Sequence, residues 1–211
     1  MKKLGPFLWI CLAFFSLLTI GLISKGRDNF FLLLNGINHP VLDPIMMGFT
    51  HLGDGLGAIS IIFIIFLFIN RRWGTIIGLT SLANAVITQS LKRFVFNDIR
   101  RPGGHFDIDL LHQVEWVTIH QSYSFPSGHT SAAFCLYFCV AAMRAKNIYW
   151  QIGMGLLACI IAYSRIYVSN HFPTDVLAGG IMGLTIAIVG LAMFEKFQWG
   201  INWKRKGVLL K

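Results

Sequence analysis

Residues 152–194 read IGMGLLACIIAYSRIYVSNHFPTDVLAGGIMGLTIAIVGLAMF. Two apolar runs, 152–168 and 176–194, flank a short stretch that carries a histidine and an aspartate, and the first run holds an arginine, Arg165, near its end. Each run approaches the roughly 18 to 20 residues that take a helix across a bilayer. Four earlier blocks have the same character, at 7–24, 56–70, 74–91 and 126–143. The pattern predicts an all-α, polytopic membrane helix bundle of six transmembrane helices, folded as a single domain over residues 1–211. Block 56–70 is short for a full crossing, and 126–143 and 176–194 have polar residues at their starts.

Composition agrees with a bilayer. Of 211 residues, 55% are hydrophobic and 13% charged, against about 25% charged in an ordinary soluble domain. The formal net charge of +9 could suit nucleic acid, but the 18 Lys and Arg residues form no basic stripe. With a cytoplasmic N-terminus, the inner side holds 11 of them: Lys2, Lys3, Arg71, Arg72, Arg144, Lys146, Lys196, Lys204, Arg205, Lys206 and Lys211. Of the outer seven, only Lys25 and Arg27 lie away from the motifs described below, so the inside bias places both termini in the cytoplasm. The Lys204-Arg205-Lys206 tail reads as an anchor at anionic lipid. Block 7–24 exceeds a usual signal core and lacks a small-x-small cleavage site, so it reads as a retained span. Cys11, Cys135, Cys139 and Cys159 all fall within spans and read as packing residues, with no disulfide implied.

Polar chemistry gathers on the outer side. Ionisable residues at a membrane edge are costly and mark function. His171 and Asp175 are four residues apart, and Pro173 suits a first helical turn between them, so the carboxylate can hold one ring nitrogen and leave the other as a nucleophile. Upstream, Ser124-Phe125-Pro126-Ser127-Gly128-His129-Thr130 opens another span, with Pro126 expected in its first turn. Free amides of such a turn, with the Ser127 hydroxyl and the close approach Gly128 permits, bind phosphate oxygens; His129 is placed to protonate a leaving oxygen. Lys92, Arg93, Arg100 and Arg101 put positive charge where the inside rule disfavours it, and with Arg165 could neutralise a phosphoryl group.

These residues together resemble the type 2 phosphatidic acid phosphatase superfamily of integral membrane lipid phosphatases, over roughly residues 56–194. The Pro-Ser-Gly-His motif matches at Pro126, Ser127, Gly128 and His129. The Ser-Arg, five residues, His, three residues, Asp motif matches at Ser164, Arg165, His171 and Asp175. The first motif departs: the family has six residues between its Lys and its Arg-Pro, whereas eight separate Lys92 from Arg101-Pro102. Either the loop bulges and Lys92 still serves, which is the preferred reading, or Arg93 takes its place. The resemblance implies that His171 attacks phosphorus, Asp175 orients it and His129 protonates the departing group. Lys92, Arg101, Ser127, Gly128 and Arg165 would hold the phosphate, with no metal and no cofactor. The implied partners are a membrane and a lipid phosphate: undecaprenyl diphosphate, phosphatidylglycerol phosphate, phosphatidate or a lipid A phosphate. No nucleic acid and no obligate protein partner is expected. In a bacterium the protein would sit in the inner membrane with a periplasm-facing site. A phosphotransferase on the same phosphohistidine, or a non-enzymatic lipid binder or transporter, are the rival readings.

Two connecting regions carry further expectations. Residues 28–54 should form short interfacial helices, with His39 and His51 as surface or packing residues. The 93–125 loop, with His105, His112, Glu115, Trp116 and His120, joins two phosphate-binding elements and could act as a lid or headgroup reader.

Overall fold

The computed structural model describes residues 4–196, and among these the chain is helical throughout, without a strand. The helices are α1 (Gly5–Lys25), α2 (Arg27–Asn35), α3 (Leu42–Leu52), α4 (Gly55–Ile64), α5 (Arg71–Ser90), α6 (Gly128–Met143), α7 (Ile148–Tyr167) and α8 (Pro173–Lys196). α4 runs on into a π-helical turn, Ile65–Ile69, and α5 into another, Leu91–Val95. The starts are set by local chemistry. Asp54, Asn70, Ser127 and Asn147 each cap a helix by accepting from a backbone amide three residues on, which satisfies a donor the helix leaves orphaned.

α6 is the axis of the bundle. Phe134, Cys135, Leu136, Phe138 and Cys139 are at most 1% exposed, and α5, α7 and α8 pack around it. The approach of α8 depends on missing side chains. A Cβ on Gly179 would lie 2.5 Å from the Ser127 carbonyl oxygen, and one on Gly183 would lie 2.1 Å from that of Ser131. This spacing of small residues four apart lets two membrane helices touch backbone to backbone. The four cysteines are buried and unpaired, as expected of packing residues.

The outside of the bundle is apolar. Trp9, Leu12, Leu17, Ile20 and Ile23 of α1 are all more than half exposed, a surface suited to lipid tails rather than to water. All six apolar blocks of the sequence are helices here. By length and composition alone, however, only α1 and α8 are able to cross a membrane, with a third crossing if α3 and α4, bent by 62°, form one broken span. The other blocks fall short for physical reasons. α6 has 16 residues, about 24 Å of helix, and α5 and α7 carry polar residues such as Asn84, Thr88, Gln151 and Arg165 that turn inward.

Residues 28–54 do form short helices, α2 and α3, and both pack against α7. His39 and His51 are exposed. The tail cluster at Lys204, Arg205 and Lys206, with Lys2, Lys3 and Lys211, lies outside the described residues.

Candidate active site

The turn between α7 and α8 is short and tightly held. Ser169 takes a positive φ of 56°, and the amides of Asn170 and His171 both donate to the Arg165 carbonyl at 3.1 Å. His171 is 1% exposed. Its Nδ1 lies 3.4 Å from Asp175 Oδ2, and Nε2 is therefore the ring nitrogen turned away from the carboxylate. Pro173 begins α8 as expected, two residues before Asp175. The expected hydrogen bond from His171 Nδ1 to Asp175 is not formed: Nδ1 has no partner. Asp175 Oδ2 instead accepts from Ser124 Oγ at 2.5 Å and from the Phe172 amide at 2.9 Å. The imidazole and the carboxylate lie within ion-pair reach, and such contacts commonly tighten only in the loaded enzyme.

The Pro-Ser-Gly-His segment begins its helix later than the sequence suggests. Pro126 follows a cis bond from Phe125 and stands outside the helix, because Ser127 adopts an extended conformation and becomes the cap. Ser127 Oγ accepts from the Thr130 amide and hydroxyl at 3.4 and 2.9 Å, and the Ser127 amide donates to the Asp175 carbonyl at 3.0 Å. The amides of Gly128 and His129 find no acceptor among the described residues. They are the free donors that suit an oxyanion.

Three cations converge on this place. Lys92, Arg101, Gly128 and His129 line one cavity of about 660 Å³ between α4, α5 and α6. Lys92 is buried while Arg93 is exposed, and Phe94, at the position that would restore the family spacing, is 83% exposed. The π-helical turn Leu91–Val95 accompanies this choice by widening the helix where the motif is stretched. Arg101 reaches the Ser122 carbonyl at 2.8 Å and the Asn170 side-chain oxygen at 3.1 Å. Arg165 is 4% exposed, touches Thr50 Oγ1 at 3.3 Å, and keeps an unpartnered Nε.

Burial above all, followed by the charges of Arg101, Lys92 and Arg165, pushes the His171 imidazole well below its ordinary range. A neutral ring with one nitrogen facing away from its carboxylate is a competent nucleophile. Burial and then the same cations, Arg101 first, also lower His120, which places that loop residue in the field of the site.

The 93–125 loop is fastened rather than free. His112 Nε2 meets Asp43 at 2.7 Å, His105 meets Asp28 at 2.9 Å, and Phe106 stacks on Phe31 with ring centres 5.6 Å apart. Glu115 and Trp116 are exposed. Sequence reasoning missed the residues that bind this loop to the catalytic turn. Asn35 carries no chemical motif in the sequence, yet its buried amide donates to the Ile166 and Tyr167 carbonyls and to Ser169 Oγ, and its oxygen accepts from the His112 amide. Asn170 does the same from within the motif, accepting from Arg101 and the His120 amide and donating to the Thr118 carbonyl. Ser124, the first residue of the segment that opens α6, donates to Asp175.

Residues 73–199 match the PAP2 superfamily. The chain belongs to that family. Among curated proteins it is similar to phosphatidylglycerophosphatase B of Bacillus subtilis, 29% identical over 178 residues, covering 77% of this chain and 80% of that one. It is also similar to the lipid A 4'-phosphatase of Porphyromonas gingivalis, 30% identical over 190 residues, with 84% and 77% covered. Among solved structures, Aquifex aeolicus LpxE superposes with a TM-score of 0.70 at 29% identity, covering 79% of this chain and 94% of its own. With such relatives, and with α1 and α8 long and apolar enough to cross a bilayer, the PAP2 chain described here is an integral membrane protein.

Proposed function

We propose that this protein hydrolyses a phosphate monoester or diphosphate of a lipid through a phosphohistidine on His171. The observation that carries the reading is the buried His171 ring, its Nδ1 side against Asp175 and its surroundings filled with the charge of Lys92, Arg101 and Arg165. In the first step Nε2 attacks phosphorus and the bond from phosphorus to the leaving oxygen breaks. His129 gives that oxygen a proton when it departs as the lipid alcohol. Asp175, held by Ser124 and the Phe172 amide, stabilises the imidazolium that forms. In the second step water attacks phosphorus, its proton passes to His129, and the nitrogen–phosphorus bond breaks to restore His171.

The three cations and the Gly128 and His129 amides supply the charge stabilisation that phosphoryl transfer demands. We accordingly propose a metal-independent reaction. The full architecture proposed is six crossings, one for each apolar block, with both termini in the cytoplasm and the site at the periplasmic face of a bacterial inner membrane. Neither a nucleic acid nor an obligate protein partner enters this reading.

The test is phosphate release from a panel of phospholipid, prenyl and lipid A phosphates by protein purified in detergent. Wild type should remain active in a chelator. His171→Ala should lose on the order of 10⁴-fold or more in kcat, and acid-sensitive labelled phosphate should be trapped on wild type but not on the variant. Full activity in His171→Ala would overturn the assignment.

A further inference from the structure

The cavity below the phosphate site has two unlike walls. On α4, Ile59, Ile62 and Phe63 present only hydrocarbon, as does Phe66 in the π-helical turn that follows. On α5, Ser81, Asn84, Thr88 and Gln89 line the same space and follow one another at helical spacing down from Lys92. At about 1.5 Å per residue, this polar edge runs roughly 16 Å from the level of Lys92 toward the middle of the bundle.

The free atoms on that edge are donors. Asn84 is 2% exposed; its side-chain oxygen accepts from Ser131 Oγ at 2.6 Å, and its amide nitrogen makes no hydrogen bond among the described residues. Ser81 Oγ is buried and has no partner. Gln89, one turn from Lys92, carries no intramolecular hydrogen bond among the described residues. Thr88 is already committed, donating to the Asn84 carbonyl at 2.7 Å. Buried donors without acceptors, as at Asn84 and Ser81, cost free energy, and with the exposed Gln89 above them they line a lipid-sized cavity that suits a ligand bringing acceptors.

We infer that the substrate is an acylated lipid phosphate, whose ester or amide carbonyls accept from Gln89, Asn84 and Ser81 while its hydrocarbon lies against α4. The inference rests on the phosphatase reading above and deepens it by choosing a substrate class. A polyprenyl phosphate offers no hydrogen-bonding group below its phosphate and leaves these donors orphaned. An acyl chain attached through glycerol or an amino sugar places carbonyls a few bonds beyond the phosphate, at the depth where the donors begin. Sites built to hydrogen-bond a substrate reject analogues that lack the bonding group.

The experiment compares phosphatidate with a polyprenyl monophosphate in the same detergent micelles, so that the reacting group is the same. Wild type should show a higher kcat/KM for phosphatidate. Gln89→Leu, at an exposed position that does not support the fold, and Asn84→Leu paired with Ser131→Ala, which leaves no orphaned hydroxyl, should each reduce that preference by about tenfold. A ratio that neither variant moves, or a wild type that handles the prenyl lipid as well or better, overturns the inference alone. Release of phosphate from neither lipid overturns the phosphatase reading and this inference with it.

Discussion

The α7–α8 turn and the α4–α5 flank stand on either side of the proposed phosphate site and are built on opposite plans. In the turn, the backbone and the Asp175 carboxylate are tied, with Asn35, Ser124 and Asn170 binding them to α2 and to the long loop, and only His171 Nδ1 and Arg165 Nε keep no partner among the buried side-chain atoms there. Behind it α8 touches α6 through Gly179 and Gly183. The flank has a large cavity, π-helical turns at the ends of α4 and α5, and donors left free. The contrast teaches a division of labour. His171, the proposed nucleophile, is held by a hydrogen-bonded frame, while the wall proposed to meet the variable part of a lipid is left open.

The contrast can be broken first at Lys92, the one cation the flank contributes. Lys92→Ala should cost about 10² to 10³-fold in kcat/KM, the scale for losing one preorganised charge partner. Arg93→Ala should change it by less than about twofold because that side chain points away from the cavity; comparable losses would mean that the buried lysine is not the working cation. On the rigid side, Ser124→Ala should lower kcat by about ten- to a hundredfold with KM little changed, since the hydroxyl holds Asp175 rather than substrate. Steady-state kinetics that put the loss in KM would contradict this.

Glycine substitutions sharpen the comparison without touching chemistry. Gly183→Val should destabilise the detergent-solubilised protein by about 1–3 kcal/mol or more, because the added carbon meets the Ser131 backbone. Gly78→Ala on the flank, where a Cβ would sit at 3.4 Å from an Ile62 methyl, should be tolerated or stabilise slightly. Equal shifts in unfolding temperature would remove the distinction between the two regions. The smallest effect concerns pH. Burial and neighbouring cations keep His171 neutral well below its ordinary range, so kcat/KM should hold as pH falls from about 8 to about 6.5, where an unperturbed histidine would be half protonated. An acid limb centred at or above about 6.5 would show that the imidazole is not shielded in this way.

Much of this was legible in the sequence because its signals are local. Apolar blocks announce helices, and every one of the six became one. His171 and Asp175 four apart, with Pro173 between, gave the correct register for the start of α8. The points left open or misplaced have a common cause. Whether Lys92 or Arg93 faces the cavity depends on a π-helical turn, which no residue type specifies. Pro126 stands outside α6 because the capping geometry of Ser127 takes precedence over the preference of proline for a first turn. Asn35 bonds to residues more than 130 positions away, and a side chain that acts over such a separation leaves no periodic trace. The number of crossings was the least legible property, since polar inward faces dilute the hydropathy of α5 and α7.

The ties between the long loop and the first helices bear on how such a protein could be rebuilt. Residues 93–125 take their shape from Asn35 and Asp43 through His112, and from Phe31 through Phe106. Tyr167, next to the α7–α8 turn, shares the same Asp43 oxygen. The loop is therefore not an exchangeable cassette. Transplanting it from a relative would import a shape whose moulds lie on α2 and α3, and a working graft has to carry both halves of that joint.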